Sequence, residues 1–192
     1  MWTPATTQIG HHSPLFPSFR ESDKPDDQKL TVAYAVNHFL KMGNIAEKLV
    51  LEGISAHART YAIGGDDYSD FYHNTAGPGP AGSYTRQESF LAFFEICDEM
   101  NKHPEGWQFR YDHEYKIAMA VDAFDGNYMV WIGYDNEISA IEKVDFAMSN
   151  GLGGMMIDSL DLDDYNNFCK GWVRYPLTAA IKERLGYWEA KY

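Results

Sequence analysis

Positive charge is scarce in this sequence of 192 residues. Lysine and arginine number 16 against 28 aspartates and glutamates, so the formal net charge is −12 at pH 7. Nucleic acid and anionic membrane surfaces are bound through basic patches, and the sequence therefore predicts neither as a partner. No apolar run approaches the roughly 20 residues that a bilayer-spanning helix needs. Residues Met1–Pro4 have neither the basic start nor the apolar core of a secretory leader.

Cysteine is also scarce, since Cys97 and Cys169 are the two in the chain. Their wide spacing excludes a CxxC redox or zinc site, and the residues alone leave free thiols and a disulfide both open. His11 and His12 are adjacent, but no acid or cysteine lies near them at ligand spacing. We therefore predict loop structure there, and neither a metal nor a cofactor.

What the chain does contain indicates a folded globular protein. Hydrophobic residues make up 45% of the sequence and aromatic residues 15%. Such aromatic content is typical of a carbohydrate-facing surface, but equally of an ordinary aromatic core. The length predicts one domain, or one domain with an insertion.

The first third of the chain predicts a loop, a helix and a strand. Prolines interrupt residues 1–29. Residues 31–42 predict a helix whose apolar stripe ends at Gly43. The stripe residues are Val32, Val36, Phe39 and Leu40. Lys48–Tyr61 then predict one strand.

The remainder predicts an insertion and a return to alternating helix and strand. Residues 62–127 contain glycine-rich turns, a helix near 86–101 and a strand-like stretch at 107–119. Asp135 or Asn136 caps the following helix, whose stripe is Ile138, Ile141, Val144 and Met148. The last helix is predicted to begin at Pro176 and to end at Gly186.

One stretch organises these elements, and it runs Gly-Leu-Gly-Gly-Met-Met-Ile-Asp-Ser-Leu-Asp-Leu-Asp-Asp-Tyr from Gly151 to Tyr165. A helix-ending glycine leads into a buried strand, and the strand ends in acids. In parallel α/β barrels the chemistry lies at the carboxyl ends of the strands. We interpret these acids as solvated loop residues rather than as a calcium loop, because the spaced oxygen pattern and the turn glycine are missing.

This stretch resembles the eighth-strand signature of glycoside hydrolase family 18, Gly-Leu-Gly-Gly-Ala-Met-Val-Trp-x-x-Asp-x-Asp-Asp-Phe. Other stretches resemble the same family in the same order. The first is Trp2…Gly10-His-His-Ser-Pro-Leu-Phe, which resembles the loop after the sixth strand, and the second is Lys-Leu-Val-Leu from Lys48, which resembles the seventh strand with Glu52 as one extra residue that fits a bulge. They are followed by Gly-Pro-Gly-Pro from Gly77, which resembles the insertion domain, and by Trp-Ile-Gly-Tyr-Asp from Trp131. The resemblance implies the C-terminal portion of a (β/α)8 TIM barrel, an α/β fold, with an inserted small α+β domain. The implied segments are barrel 1–61, insertion domain 62–127 and barrel 128–192.

The resemblance also implies a disulfide between Cys97 and Cys169, which ties the insertion domain to the loop after the eighth strand. A disulfide requires an oxidising compartment, so we expect a secreted protein whose signal peptide lies upstream of this chain. An eightfold barrel takes about 250 residues. The family's acid motif, Asp-x-x-Asp-x-Asp-x-Glu on the fourth strand, therefore falls outside the sequence, and we assign no catalytic residue.

Five residues match positions of the family's sugar cleft, and we predict them to bind carbohydrate: Trp2, His57, Arg59, Gln87 and Asp158. Trp2 and Arg59 keep the family's residue types, whereas His57 replaces a tyrosine and Gln87 a glutamate. Asp158 replaces the tryptophan that floors the cleft, and Arg59 is its expected partner because a buried carboxylate needs one. We reject a catalytic role for Asp158–Tyr165, since Tyr165 stands where the motif has its acid and a phenol is a poor proton donor to a glycosidic oxygen at neutral pH.

The predicted function is that of a catalytically inactive chitinase-like protein with a degenerate cleft for chitin-type N-acetylglucosamine oligosaccharides. One alternative is a fragment of an active chitinase whose acid motif lies upstream. Another is a non-enzymatic structural or interaction subunit, because half a barrel exposes strand edges and an apolar interior that need a partner. That partner is a chain or segment supplying the N-terminal half of the barrel.

Overall fold

The computed structural model describes residues 8–25, 29–64, 73–102, 104–124, 128–171 and 173–191. The helices in these ranges are α1 (Val32–Lys41), α2 (Phe93–Lys102), α3 (Glu137–Ser149) and α4 (Pro176–Lys191). The strands are β1 (Val50–Ser55), β2 (His57–Ile63), β3 (Gly77–Pro78), β4 (Phe90–Ala92), β5 (Gln108–Asp112), β6 (Ile117–Phe124), β7 (Tyr128–Tyr134) and β8 (Gly154–Asp158). None of the helices in the described part of the chain is long and apolar enough to span a bilayer.

The barrel portion is a parallel pair, β1 and β8, with helices against one of its faces. The register shifts between Glu52 and Ile54, which confirms the bulge expected at this point. Ile54 packs with Val144 of α3 and Ile181 of α4 in one apolar cluster. Because side chains alternate along a strand, the residues between these core positions point to the opposite face. There, Met156 remains 45% exposed.

The second sheet is antiparallel and has the order β3-β2-β7-β6-β5, with β4 paired to β2. One face packs against α2 through an apolar cluster that includes Phe93, Ile96 and Ile132. The opposite face is covered by the N-terminal loop, where Ile9 packs with Tyr61 and Trp131. The sheet is therefore a sandwiched layer between a helix and a loop.

The single strand predicted over Lys48–Tyr61 is wrong, because the chain changes sheets at Ala56. The backbone N–H of Ala56 donates to Asp158 on β8, while its carbonyl accepts from Phe93 at the start of α2. The apolar run therefore contributes β1 to the parallel pair and β2 to the antiparallel sheet. Strand β2 pairs with β7 along Arg59–Ile63, so the antiparallel sheet extends beyond the predicted insertion limits 62–127 on both sides. The division into three segments stays a prediction.

The predicted helix caps are largely confirmed. Gly43 has the expected left-handed φ, +86°, after α1. The side chain of Thr31, which was not predicted as a cap, accepts from the Tyr34 N–H at the start of that helix. Asn136 and Ser139 form a reciprocal capping box at the start of α3. The helix expected from residue 86 begins instead at Phe93, because Phe90–Ala92 pair with β2.

Two predicted core positions and one predicted helix end are wrong. Phe39 of α1 is 50% exposed and Ile138 of α3 is 55% exposed. Each lies at the edge of its apolar stripe, where the described part of the chain supplies no neighbouring layer. Helix α4 continues past Gly186 to Lys191, because glycine weakens a helix without ending it.

Candidate functional site

Three of the five predicted carbohydrate-binding residues converge where the two sheets meet. His57 and Arg59 lie two positions apart on β2, and Nδ1 of His57 lies 3.4 Å from the backbone carbonyl oxygen of Asp158. Gln87 is exposed in the loop before β4, and no hydrogen bond or ion pair joins it to the other three among the described residues. Trp2 lies outside the described residues.

The predicted ion pair between Arg59 and Asp158 is wrong, because no such pair occurs among the described residues. Asp158 is exposed at the end of β8, so its carboxylate is solvated and needs no buried counterion. Arg59 instead lies over the ring of Phe90, with its Cζ atom 5.5 Å from the ring centroid. This contact follows from strand register, which places Phe90 of β4 opposite Arg59. The guanidinium therefore makes a cation–π contact.

His57 belongs to a stack of histidine rings. His12 lies between His11 and His57, with ring centroids 4.6 Å and 4.9 Å away. No group of three side chains that could hold a metal ion occurs in the described ranges. The stack was missed because its rings come from two segments that are distant in sequence. No spacing signal connects such positions.

A fully buried ion pair lies beside this stack. Lys143 of α3 donates to both carboxylate oxygens of Asp135, at 2.7 and 2.8 Å, and to the carbonyl oxygen of Gly53 at 2.6 Å. The same carboxylate accepts from the Ser55 N–H and the Ser13 hydroxyl. Burial would raise the pKa of Asp135, but Lys143 and its hydrogen bonds outweigh burial and hold that pKa below its ordinary value. The pair thus joins α3, the bulge of β1 and the N-terminal loop.

Asp135 was expected as a possible helix cap, a role that Asn136 takes instead. Lys143 carries no signal in the sequence, since a lysine on a helix normally faces solvent. Its position does fall one turn after Ser139, which donates its hydroxyl to Asp135 at 2.7 Å. The side chains of Lys143 and Asp135 have no exposed surface.

A buried glutamate shapes the loop that carries Gln87. Glu95 is 2% exposed, and its carboxylate accepts from the N–H groups of Tyr84, Thr85 and Ala92 at 2.6, 3.0 and 2.9 Å. It also accepts from the Thr85 hydroxyl at 2.7 Å. A Cβ at Gly82 would lie 2.3 Å from this carboxylate, so the approach requires glycine.

Replacing Glu95 with glutamine should destabilise the fold by about 1–3 kcal/mol, because an amide N–H would face a backbone donor and leave it unsatisfied. Urea unfolding at neutral pH measures the change. Glu88→Gln is the matched control in the same loop, since Glu88 is exposed, and we expect its effect to stay within about 0.5 kcal/mol. Equal effects of the two substitutions would contradict the role of Glu95.

The predicted disulfide is confirmed. Cys97 of α2 and Cys169 of the loop after β8 are bonded, with a sequence separation of 72 residues. The side-chain amide of Asn101 donates to the carbonyl oxygens of both Cys97 and Phe168, at 2.8 and 2.7 Å. The insertion helix and the strand-end loop are therefore joined covalently and by hydrogen bonds.

The sequence predicted that the acids after β8 are solvated, and for two of them this is wrong. Asp163 and Asp164 have no exposed surface. Asp163 accepts from the Thr178 N–H at 2.9 Å and so caps α4, while Asp164 accepts from the N–H groups of Phe168 and Cys169, each at 2.8 Å. Their carboxylates satisfy backbone donors. This structural role leaves them unavailable for acid catalysis.

Comparisons with known proteins agree with this architecture. A family model for glycosyl hydrolases family 18 matches residues 1–163. Oviduct-specific glycoprotein of Homo sapiens is 34% identical over 176 residues, which are 92% of this chain and 24% of that protein.

Two solved structures share the fold. Human YKL-39, a pseudo-chitinase with retained chitooligosaccharide binding properties, has a TM-score of 0.80 and 32% identity, covering 93% of this chain and 46% of that one. The Group IV chitinase of Ostrinia furnacalis, solved with allosamidin, has a TM-score of 0.84 and 26% identity, covering 96% of this chain and 47% of that one.

The chain therefore spans about half the length of these structures, which confirms the predicted partial barrel. The matches cover the loop, both sheets and the helices that carry the motifs. On the family model and the identity to its relatives, the chain belongs to glycosyl hydrolase family 18.

Proposed function

We propose that this chain is catalytically inactive and binds chitin-type N-acetylglucosamine oligosaccharides in a degenerate cleft. The observation that carries the proposal is the end of β8. Asp158 is exposed where the family pattern has its cleft tryptophan, and Asp163 and Asp164 are buried and accept hydrogen bonds from backbone N–H groups. The sequence holds no other stretch resembling the family's acid motif. General acid catalysis of glycoside cleavage requires such an acid beside the scissile bond.

Weak saccharide binding is supported by what remains around this point. Arg59 is held in place by the Phe90 ring, and the loop of Gln87 is organised by the buried Glu95. YKL-39, which is similar over 93% of this chain, is a pseudo-chitinase that retains chitooligosaccharide binding. Loss of the floor tryptophan removes a large apolar platform, so we expect a lower affinity than a complete cleft provides. Trp2 is the proposed remaining stacking residue.

Secretion is part of the proposal. The Cys97–Cys169 disulfide forms and persists in oxidising compartments, which secreted proteins traverse. A signal peptide is proposed to precede this chain in the full protein. Recovery of the full-length protein from culture medium, with the disulfide oxidised, tests this point.

A second function has one observation in its favour. Because the chain covers less than half of each solved structure, it fits a fragment of a longer active chitinase whose acid motif lies upstream. The coding sequence upstream of this chain discriminates directly between an inactive sugar-binding protein and an active chitinase. An intact Asp-x-x-Asp-x-Asp-x-Glu in it, with release of N-acetylglucosamine oligomers by the longer protein, would favour the active enzyme.

The barrel face of β1 and β8 indicates a protein partner or a further segment. Val50 is 58% exposed and Met156 45% exposed on it, and in the described ranges each of the two strands is paired along one edge alone. We propose that the N-terminal half of the barrel, on this polypeptide or another, covers this face. A third proposed role is that this chain is a non-enzymatic structural or interaction subunit of such a complex. Native mass spectrometry showing a lone, stable monomer of the 192-residue chain would count against the partner.

Isothermal titration of the chain with chitin oligosaccharides tests sugar binding. We expect measurable heat for the wild type and roughly fivefold weaker binding for Trp2→Ala, because one stacking contact contributes about 1 kcal/mol. Phe19→Ala is the matched control, since Phe19 is an exposed aromatic outside the predicted cleft at 69% exposure. Absence of heat for the wild type would contradict the proposed sugar binding. Release of N-acetylglucosamine oligomers by the purified chain would contradict the proposed catalytic inactivity.

A further inference from the structure

Three histidine rings form a continuous stack between the N-terminal loop and the antiparallel sheet. The planes of His11 and His12 differ by 13°, and those of His12 and His57 by 17°. The far side of His57 stacks on Phe90, with centroids 4.6 Å apart. His11 and His12 belong to the loop and His57 belongs to β2, so the stack attaches one segment to the other.

Ring packing, and not hydrogen bonding, holds the middle of this stack. Both ring nitrogens of His12 are buried without a hydrogen-bond partner. Nδ1 of His11 accepts from the Ser13 N–H at 3.0 Å. A protonated His12 would therefore bury two N–H donors with no acceptor, which is more costly than burying the neutral ring.

The charged groups around the stack also oppose protonation. Arg59 on β2 and Lys143 on α3 both disfavour a positive charge at His12. Two carboxylates act in the opposite sense: Asp135, which is already paired with Lys143, and Asp158 at the end of β8, whose backbone carbonyl faces His57. β4 and β7 also contact the stack: Phe90 of β4 contributes an uncharged ring, and the backbone of Tyr134 at the end of β7 hydrogen-bonds His11 and favours its charged form.

The sign of the pH effect follows from these surroundings. Burial, followed by neighbouring charges, lowers the pKa of His12 well below 6.5, and burial lowers the pKa of His11 to about 4. The pKa of His57 is lowered mainly by burial and by Arg59. Below about pH 6.5 the three imidazoles therefore bind protons in the unfolded chain but stay neutral in the folded stack. The stability contributed by the stack is consequently lost as the pH falls.

We propose that the histidine stack is an acid-sensitive latch, which holds residues 8–16 on the antiparallel sheet at neutral pH and releases them on acidification before the rest of the fold opens. Backbone hydrogen bonds also attach this loop, and two of them run to the start of α1: Val32 N–H donates to the Pro14 carbonyl at 2.9 Å and Ala33 N–H to the Leu15 carbonyl at 3.0 Å. Ile9 N–H donates to the His73 carbonyl and Leu15 N–H to the Tyr115 carbonyl, each at 2.8 Å. The latch does not depend on the proposed sugar binding.

Hydrogen exchange at about pH 7.5 and about pH 5, corrected for intrinsic rates, tests the latch. In the wild type we expect protection of the Ile9 and Leu15 amides to fall about tenfold at the lower pH, while Ala120 in β6 stays protected. His12→Asn and His57→Tyr remove one titrating ring each and leave two, so the pH-dependent loss should shrink to about fivefold. His113→Asn, at an exposed histidine outside the stack, should behave as the wild type does.

Three results would overturn the latch: equal pH-dependent losses in the wild type and both stack variants, unchanged protection in the wild type, or simultaneous loss at Ala120 and in the loop. The comparison concerns the difference between two pH values within each protein, so a variant that loosens the loop at every pH remains informative. If His57→Tyr fails to fold, His12→Asn and the wild type decide the outcome.

Discussion

Replacing Lys143 with methionine is expected to destabilise the protein by about 3–5 kcal/mol, because the substitution leaves the buried carboxylate of Asp135 without its counterion. Methionine matches the length of the lysine stem, so the loss is electrostatic and is not due to a cavity. The carbonyl of Gly53 also loses its donor. Denaturant unfolding at neutral pH measures the effect.

The matched control is Lys102→Met, since Lys102 is an exposed helical lysine paired with Glu99 at 2.7 Å. Surface pairs contribute about 0–1 kcal/mol, so we expect a correspondingly small change. The Lys143 position is not important for stability if both substitutions have the same effect.

The difference in unfolding free energy between the wild type and Lys143→Met should also become smaller as the pH falls. In the wild type the lysine holds the pKa of Asp135 below its ordinary value, so the stability from this carboxylate is present above the unfolded pKa and is lost on acidification. In the variant burial dominates and raises that pKa, so protonation relieves the buried charge. A deficit that stays constant between neutral pH and about pH 4 would contradict this explanation.

Removing the disulfide is expected to destabilise the protein by about 4 kcal/mol on the chain-entropy model, because the bond closes a long loop of the unfolded chain. Cys97→Ser with Cys169→Ser is the appropriate variant, since it leaves no free thiol. The hydrogen bonds from Asn101 across the same junction remain available and keep the native geometry possible. Thermal and urea unfolding measure the loss.

Reductant provides the control for the disulfide. Dithiothreitol should lower the stability of the wild type to that of the double serine variant and should leave the variant unchanged. A loss below about 1 kcal/mol in the double variant would show that the reduced chain already constrains this loop.

Much of the site was predictable because it depends on local signals. The bulge near Glu52, the helix stop at Gly43, the cap at Asn136 and the disulfide all follow from short motifs or from the family resemblance. The end of β8 was located correctly by its Gly-Leu-Gly-Gly start. Residue types at turns and caps have few alternatives, so these signals are specific.

The sequence misled where one pattern fits two structures. The apolar run through Ala56 reads as one strand, but it is two strands in different sheets, because periodicity does not reveal which neighbours a strand has. Asp163 and Asp164 read as solvated acids, but they are buried because backbone donors of α4 and of the Cys169 loop surround them. Asp158 and Arg59 were expected to pair, but Arg59 packs on Phe90 instead.

The amino-acid sequence by itself determined the family, the cross-link between Cys97 and Cys169, and the absence of the acid motif from these 192 residues. The tertiary structure alone decided that His11, His12 and His57 stack, and that Lys143 is buried against Asp135. The physical reason is that local conformation depends on near neighbours in the chain. Burial and charge pairing depend on segments that meet only after the two sheets have formed.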